Sequence, residues 1–392
     1  MQIVLACNNN WGQGGQGNFL QRAALGLHQG GAHSLTVYCS GTAADTATGI
    51  QVLPQGYSWA SQRLMATPLL RRRRDWATLW ADLYFDRQVA QHITQGTGNL
   101  DLFVGVAGQC ALSLRAAKQR GATVWLYCLN TYLPFMQAQI AQECRFLGEQ
   151  AIATMHPKML SRFAEEGAIA DQIVVNSEVA KGTFVAAGVA PERIVVILPV
   201  VDCQRFRPAA RNEEPFRVLF LGTLDPRKGV HYLVPAFREA AIPGAELLLV
   251  GGYSTRAMRL FLERTLLENP QVRQELWDVR QIDPPLLFGR CDVLVMPSVE
   301  DGFGVVALEG MASGLPVVVT EHCGAADVIC RGENGFVVPP RDSGAIARVL
   351  GDLAADPQKR QAVGRQARAT AEQHTQSRYD RDMAHLLQGI GA

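Results

Sequence analysis

The chain predicts an α/β protein of two doubly wound domains facing one another across a cleft, and three observations carry that expectation. Short apolar runs alternate with longer amphipathic stretches through the 392 residues, the pattern of βαβ units feeding parallel sheets. That length suits two domains, because single cores stop growing at roughly 250–300 residues. A polar, proline-flanked segment, Cys203–Phe216, interrupts the alternation near its middle and reads as an interdomain linker.

The first series of candidate strands comprises Ile3–Cys7, Ser34–Cys39, Leu102–Val106, Val124–Cys128, Ile173–Asn176 and Val195–Leu198. The second comprises Arg217–Leu221, Glu246–Val250, Val293–Met296, Pro316–Thr320 and Gly335–Val338. From Ala345 onward the pattern is helical. Open parallel sheets bind ligands beyond the carboxyl ends of their strands, so the cleft is the expected site.

Composition narrows the function. Apolar residues at 48% and charged residues at 19% are enough to bury a sizeable core. A formal charge of +1 offers no global attraction for nucleic acid or membrane. The nine cysteines lack C-x-x-C spacing and paired histidines, which argues for reduced thiols and against a zinc site. Ile3–Cys7 is too short for a signal peptide and lacks its basic flank. No apolar run approaches the ~20 residues of a membrane span. A soluble, cytoplasmic protein is the expectation.

Gly12, Gly14 and Gly17 match G-x-G-x-x-G between a strand and a helix expected from Phe19 to His28. The acid that holds a dinucleotide ribose is missing, since the first acidic residue of the chain is Asp45. Four residues, Asn8 to Trp11, also separate the expected strand from the first glycine. A nicotinamide or flavin site is therefore disfavoured. The loop either needs positive φ at Gly14-Gly15 or lets its backbone, at Gly15, approach a donor phosphate or an acceptor.

Beyond the first strand of the second series, Leu221-Gly222-Thr223-Leu224-Asp225-Pro226-Arg227-Lys228-Gly229 opens a helix near Val230. Two cations at a strand-to-helix turn beside free N–H groups make an anion site. They could neutralise a departing diphosphate without a metal. From Met296 to Val319 the chain reads strand, acids, Gly302-Phe303-Gly304, a helix from about Val305 to Ser313, and strand again. Asp301 and Glu309 stand there to address hydroxyls of the same ligand. A nucleotide diphosphate sugar fits that combination.

Together these segments resemble the retaining glycosyltransferase family 4, glycosyl transferases group 1. The likeness also includes Ala170–Ser177, Gly188-Val189, Pro191–Ile194, Pro199–Asp202, Ala312–Val317 and Asn334–Pro340. It implies the GT-B fold, with two Rossmann-like domains. Residues 1–203 would form the acceptor domain and 204–375 the donor domain, with a terminal helix, 376–392, packing back on the first. It implies transfer of a sugar from a UDP or GDP sugar to a glycan, lipid-linked or small-molecule acceptor, with no metal or other cofactor and no nucleic-acid partner.

By the same resemblance Lys228 binds the diphosphate, Glu309 the ribose and Asp301 the sugar hydroxyls. The Phe303-Gly304 backbone lies along the sugar and phosphates, and Thr223, Arg227, Gly302 and Val305 complete the donor site. Arg280 and Gln281 approach the base. Asn130, in Cys128-Leu129-Asn130-Thr131, takes the place of the family's amino-domain histidine, so Lys228, Asp301 and Asn130 are the catalytic candidates. This sequence departs from the family by carrying Asp at 301 and 327 where Glu is common, Thr223 for Arg, and Val200-Val201 for a pair ending in glycine. Those departures leave two alternatives: a catalytically degenerate binder of nucleotide sugar or glycan, and a nucleotide-sugar epimerase.

Three further signals carry less. Arg71 to Arg74, beside Trp76 and Trp80, could touch an anionic membrane or a lipid-linked acceptor. The preferred reading is a solvated helix face with both tryptophans packed inward. His156, before Pro157, reads as a helix-start histidine, and Asp380-Arg381-Asp382 as helical surface charge.

Overall fold

The computed structural model describes residues 1–30, 34–41, 50–55, 74–148, 156–209, 215–275 and 283–390. Arg71, Arg72, Arg73, Arg280 and Gln281 lie outside them, and Arg74 is described by its backbone alone.

The described residues form two wholly parallel sheets. The first contains β1 (Gln2–Asn10), β2 (Ser34–Gly41), β3 (Gln51–Pro54), β4 (Leu102–Val106), β5 (Thr123–Cys128), β6 (Gln172–Val175) and β7 (Ile194–Val196), in the spatial order β3-β2-β1-β4-β5-β6-β7. The second contains β8 (Arg217–Leu221), β9 (Glu246–Val250), β10 (Val272–Glu275), β11 (Val293–Met296), β12 (Val317–Thr320) and β13 (Phe336–Val338), in the order β10-β9-β8-β11-β12-β13. Strands β4, β11 and β12 are buried at every residue, as expected where helices cover both faces of a parallel sheet.

Strand order reverses between β1 and β4 in the first sheet and between β8 and β11 in the second. Loops beyond these four strands open into the crevice where such sheets take ligands. Register aligns Val218 with Val293 and Leu219 with Leu294, so the loops after β8 and β11 leave the sheet side by side.

Several details correct the sequence expectations. Strand β1 continues through Asn10 with a register shift after Cys7, leaving only Trp11 before the first glycine. The next helix spans Gly14–Gln29, so Gly14 and Gly15 are helical. Left-handed backbone occurs instead at Gly12, with φ +66°. At Gly17 a Cβ would stand 2.0 Å from the Asn10 carbonyl oxygen, so that glycine serves close approach to β1. Strands β3 and β10, which the sequence reading omits, are both edge strands.

The last helix, Gln376–Gln388, places Tyr379, Met383 and Leu387 in the first lobe's core. It lies against the helix Gly14–Gln29, where a Cβ at Gly26 would come 3.0 Å from the Tyr379 ring and one at Gly30 3.0 Å from Leu387. Where the chain crosses between lobes, Val201 N–H donates to the His374 carbonyl at 3.0 Å. The Arg368 guanidinium donates to the carbonyls of Cys203, Phe206 and Ala312.

Candidate active site between the lobes

The turn after β8 is short and highly constrained. Asp225 accepts from Arg227 N–H at 2.8 Å and so caps a single 3₁₀ turn, Pro226–Lys228. Gly229 follows at φ +69°, and a Cβ there would stand 1.9 Å from the Pro297 carbonyl oxygen. Only glycine satisfies both the dihedral and the space. Gly229 then opens the helix Val230–Ala240 with no side-chain cap. The loop after β11 ends in the same way: Gly304, at φ +79°, opens the helix Val305–Ala312 with no side-chain cap. Uncapped amide donors at such helix starts are available to an anion.

The charged residues of the two loops meet as two ion pairs. The Lys228 ammonium pairs with the Asp301 carboxylate. The Arg227 guanidinium pairs with Glu300 at 2.9 Å and also donates to the Glu300 carbonyl at 3.3 Å. Glu300 is fully buried and accepts from the Thr131 hydroxyl at 2.7 Å and the Thr131 N–H at 3.2 Å. Burial pushes the Asp301 carboxyl upward, but the Lys228 and Arg227 cations outweigh it and hold the group below the usual carboxylate range. Burial disfavours the Arg227 cation, yet Glu300, Asp301 and Asp225 raise its pKa overall.

The first lobe closes over this arrangement. A Cβ at Gly302 would stand 2.2 Å from the Leu129 carbonyl and 2.8 Å from the Asn130 Cα, so glycine lets the two loops touch. Ser177 Oγ donates to the Gly302 carbonyl at 2.6 Å, and Asp327 accepts from Glu178 N–H. Asn130 thus stands half-buried beside the acid loop of the other lobe. Phe303 turns its ring into the core beside Met296 and Leu308, leaving only its backbone near the cleft. Its carbonyl already accepts from Ala325 N–H at 2.8 Å.

Glu309 lies one helical turn beyond the half-exposed Val305. Burial pushes its carboxyl up to about 7, against the opposing pull of Arg22 and Arg205. Arg22 belongs to the helix opened by the glycine loop, and its guanidinium donates to the Val200 carbonyl. Gly15 sits at the start of that helix, and a Cβ there would meet no heavy atom within 4 Å. Thr223 is exposed at the mouth of the β8 turn.

The structure therefore brings together Lys228, Arg227, Asp301, Gly302, Phe303, Gly304 and Asn130, with Glu309 one helix turn further along. Sequence reasoning passes over Glu300, Thr131 and Arg22. The Gly302-Phe303-Gly304 register favours the neighbour of Glu300, and burial of a second acid has no local signature. His156 accepts from Lys158 N–H and starts the helix Pro157–Ile169. Asp380 accepts from Gln376 and Asp382 pairs with Arg378, both within the last helix.

Two doubly wound parallel sheets, with a polar site at the switch point of the second facing loops of the first, have the architecture of the GT-B class of fold. Comparison with known proteins agrees. Residues 204–370 match the family described as Glycosyl transferases group 1. The chain is 29% identical over 285 residues to the D-inositol 3-phosphate glycosyltransferase of Streptomyces avermitilis, covering 65% of this chain and 58% of that protein. It is 28% identical to the putative colanic acid biosynthesis glycosyltransferase WcaL of Salmonella typhimurium, covering 56% of this chain and 57% of that one. The chain thus spans less than two thirds of the length of these curated relatives.

Solved structures match along the whole chain. The sucrose-phosphate synthase of Thermosynechococcus elongatus superposes with a TM-score of 0.74 at 22% identity, covering 99% of this chain and 98% of that one. HepE of Anabaena, solved with UDP, superposes at 0.71 and 18% identity, with 100% of both chains covered. At these identities the likeness establishes the fold.

Proposed function

We propose that the chain is a retaining glycosyltransferase that moves a sugar from a nucleoside diphosphate sugar, UDP or GDP, to a hydroxyl of a glycan, lipid-linked or small-molecule acceptor. The observation that carries this reading is the Lys228–Asp301 pair at the switch point of the second sheet, between two glycine-opened helix starts and against the Asn130 loop. The group 1 match over residues 204–370 supports it, as do glycosyltransferase relatives and a UDP-bound structural neighbour.

In this reading the donor diphosphate takes Lys228 from Asp301, which frees Asp301 to accept from sugar hydroxyls. Glu309 accepts from the ribose. The bond between the anomeric carbon and the phosphate oxygen breaks as the acceptor oxygen bonds to that carbon on the same face. The acceptor proton passes to a donor phosphate oxygen. Lys228 and the helix-start amides neutralise the departing charge, the role a metal fills elsewhere. A fixed cation acts most strongly where charge develops, so Lys228→Ala should lower transfer by about 10²–10³. Near-normal turnover in that variant would remove Lys228 from the mechanism. Product formed from donor alone would point instead to an epimerase, and binding without transfer across an acceptor panel to a binding protein.

A lipid-linked acceptor gains support from the helix Arg74–Gln95, where Trp80 is 61% and Tyr84 41% exposed, and from the basic run Arg71–Arg74 that leads into that helix in sequence. Aromatic and cationic side chains together suit a membrane interface. Among the described residues no helix is long and apolar enough to cross a membrane.

A further inference from the structure

The helix Leu133–Phe146 belongs by sequence to the first lobe, yet it is covered on both faces. Leu133, Met136, Ile140 and Cys144 enter the first lobe's core. Glu143, fully buried on another face, accepts from three donors of the second lobe. These are His231 Nε2, the Tyr232 hydroxyl and Arg341 Nε, each at 2.8 Å. Gln139 and Gln142 accept from the same arginine. Phe146 stacks on Tyr232 with ring centroids 5.8 Å apart, and Leu147 packs against the second lobe's core. Arg341 makes its contacts from φ +67°, an unfavourable backbone for a residue with a Cβ. Burial pushes the Glu143 carboxyl up, but the His231 and Tyr232 bonds and the Arg341 charge outweigh it, so the group stays low and ionised.

Position gives this cluster a consequence for the site. His231 stands three residues after Lys228, in the first turn of the helix that Gly229 opens. At the other end of the same first-lobe helix, Thr131 holds Glu300 and Asn130 abuts Gly302. The segment 130–146 therefore touches the acid loop at its start and, near its end, the first turn of the helix that follows the phosphate turn.

We propose that Glu143 is an interlobe latch and a positioning residue, which through His231 and Tyr232 sets where Lys228 presents its ammonium to the donor diphosphate. The proposal rests on the reading of Lys228 as the diphosphate cation. An ionised group removed from such a network leaves its donors unpaired in the interior, so the phosphate turn should loosen.

The test uses the full chain and two measurements. Amide hydrogen exchange over residues 226–232 in the ligand-free protein should rise in Glu143→Ala. Calorimetry with UDP, GDP, uridine and guanosine should show the preferred diphosphate binding about tenfold more weakly, and its nucleoside changed by less than about twofold. The diphosphate effect should vanish in a Lys228→Ala background, as coupling through Lys228 requires. Unchanged exchange at 226–232, equal losses for diphosphate and nucleoside, or full persistence without Lys228 would each overturn the latch. If Lys228→Ala itself binds diphosphate normally, the site reading fails, and the exchange data still judge the latch. Should Glu143→Ala not fold, Glu143→Gln and Tyr232→Phe remove the charge and one donor separately, and either should raise exchange at 226–232.

Discussion

Lys228 and Asp301 are each other's partner, and the pairing compensates both a buried carboxylate and a largely buried ammonium. On the proposed reading, a ligand with phosphates for one and hydroxyls for the other would separate them. Glu309 differs, because burial raises it to about 7 and Arg22 and Arg205 do not fully compensate. Its ionised form, which under the proposed function accepts from the ribose hydroxyls, therefore gains population as pH rises through that value. Nucleoside diphosphate affinity should strengthen between pH 6 and pH 8, and Glu309→Gln should flatten the profile, as calorimetry at several pH values would show. The stability effect has the opposite sense. Between its ordinary range and about 7 the folded chain holds a proton the unfolded chain has lost, so this group's contribution declines as pH rises. The meeting of the Lys228 and Asp301 loops was legible in the sequence because each lies at a glycine-marked strand-to-helix turn. Glu300 and Arg22 were not, since their partners, Thr131 and the region of Glu309, are more than a hundred positions away.

Glycines decide the geometry of the elements that carry the site. Gly229 combines φ +69° with a carbonyl oxygen 1.9 Å from any Cβ. Gly229→Ala should destabilise the second lobe by roughly 1–3 kcal/mol, measured by denaturant unfolding, and weaken diphosphate binding by displacing Lys228. Elements that escaped the sequence reading did so for identifiable reasons. β3 and β10 are sheet edges with mostly half-buried or exposed residues, so no apolar run marks them. The helix Arg74–Gln95 misled in the other direction. Its buried stripe includes Asp82 and Asp86, which Asn8, Ser113 and Arg162 satisfy. Acids on the inward face disguise it, and the expected inward Trp80 is in fact 61% exposed. Trp76 is half-buried, its ring edge-on to His156 at 4.4 Å.

At the scale of the whole molecule, the alternation of apolar runs and helices was enough to expect two parallel sheets, because buried parallel strands must read as continuous apolar segments. The contacts between the lobes were not legible, since Glu143, Thr131 and Gly302 meet partners that only the fold brings near. The seam between the first and last helices can be tested directly. Met383 is 1% exposed in the first lobe's core, so Met383→Ala should cost roughly 2–5 kcal/mol. The loss should appear in thermal unfolding of the first lobe ahead of the second. That seam also bears on how the chain is made. Strands β8 to β13 and their helices come from one uninterrupted stretch, residues 217–371, whereas the lobe synthesised first lacks part of its interior until Tyr379, Met383 and Leu387 leave the ribosome. The lobe that starts first is therefore completed last, and a released chain truncated before residue 376 should carry a finished second lobe beside an open groove along Gly26 and Gly30.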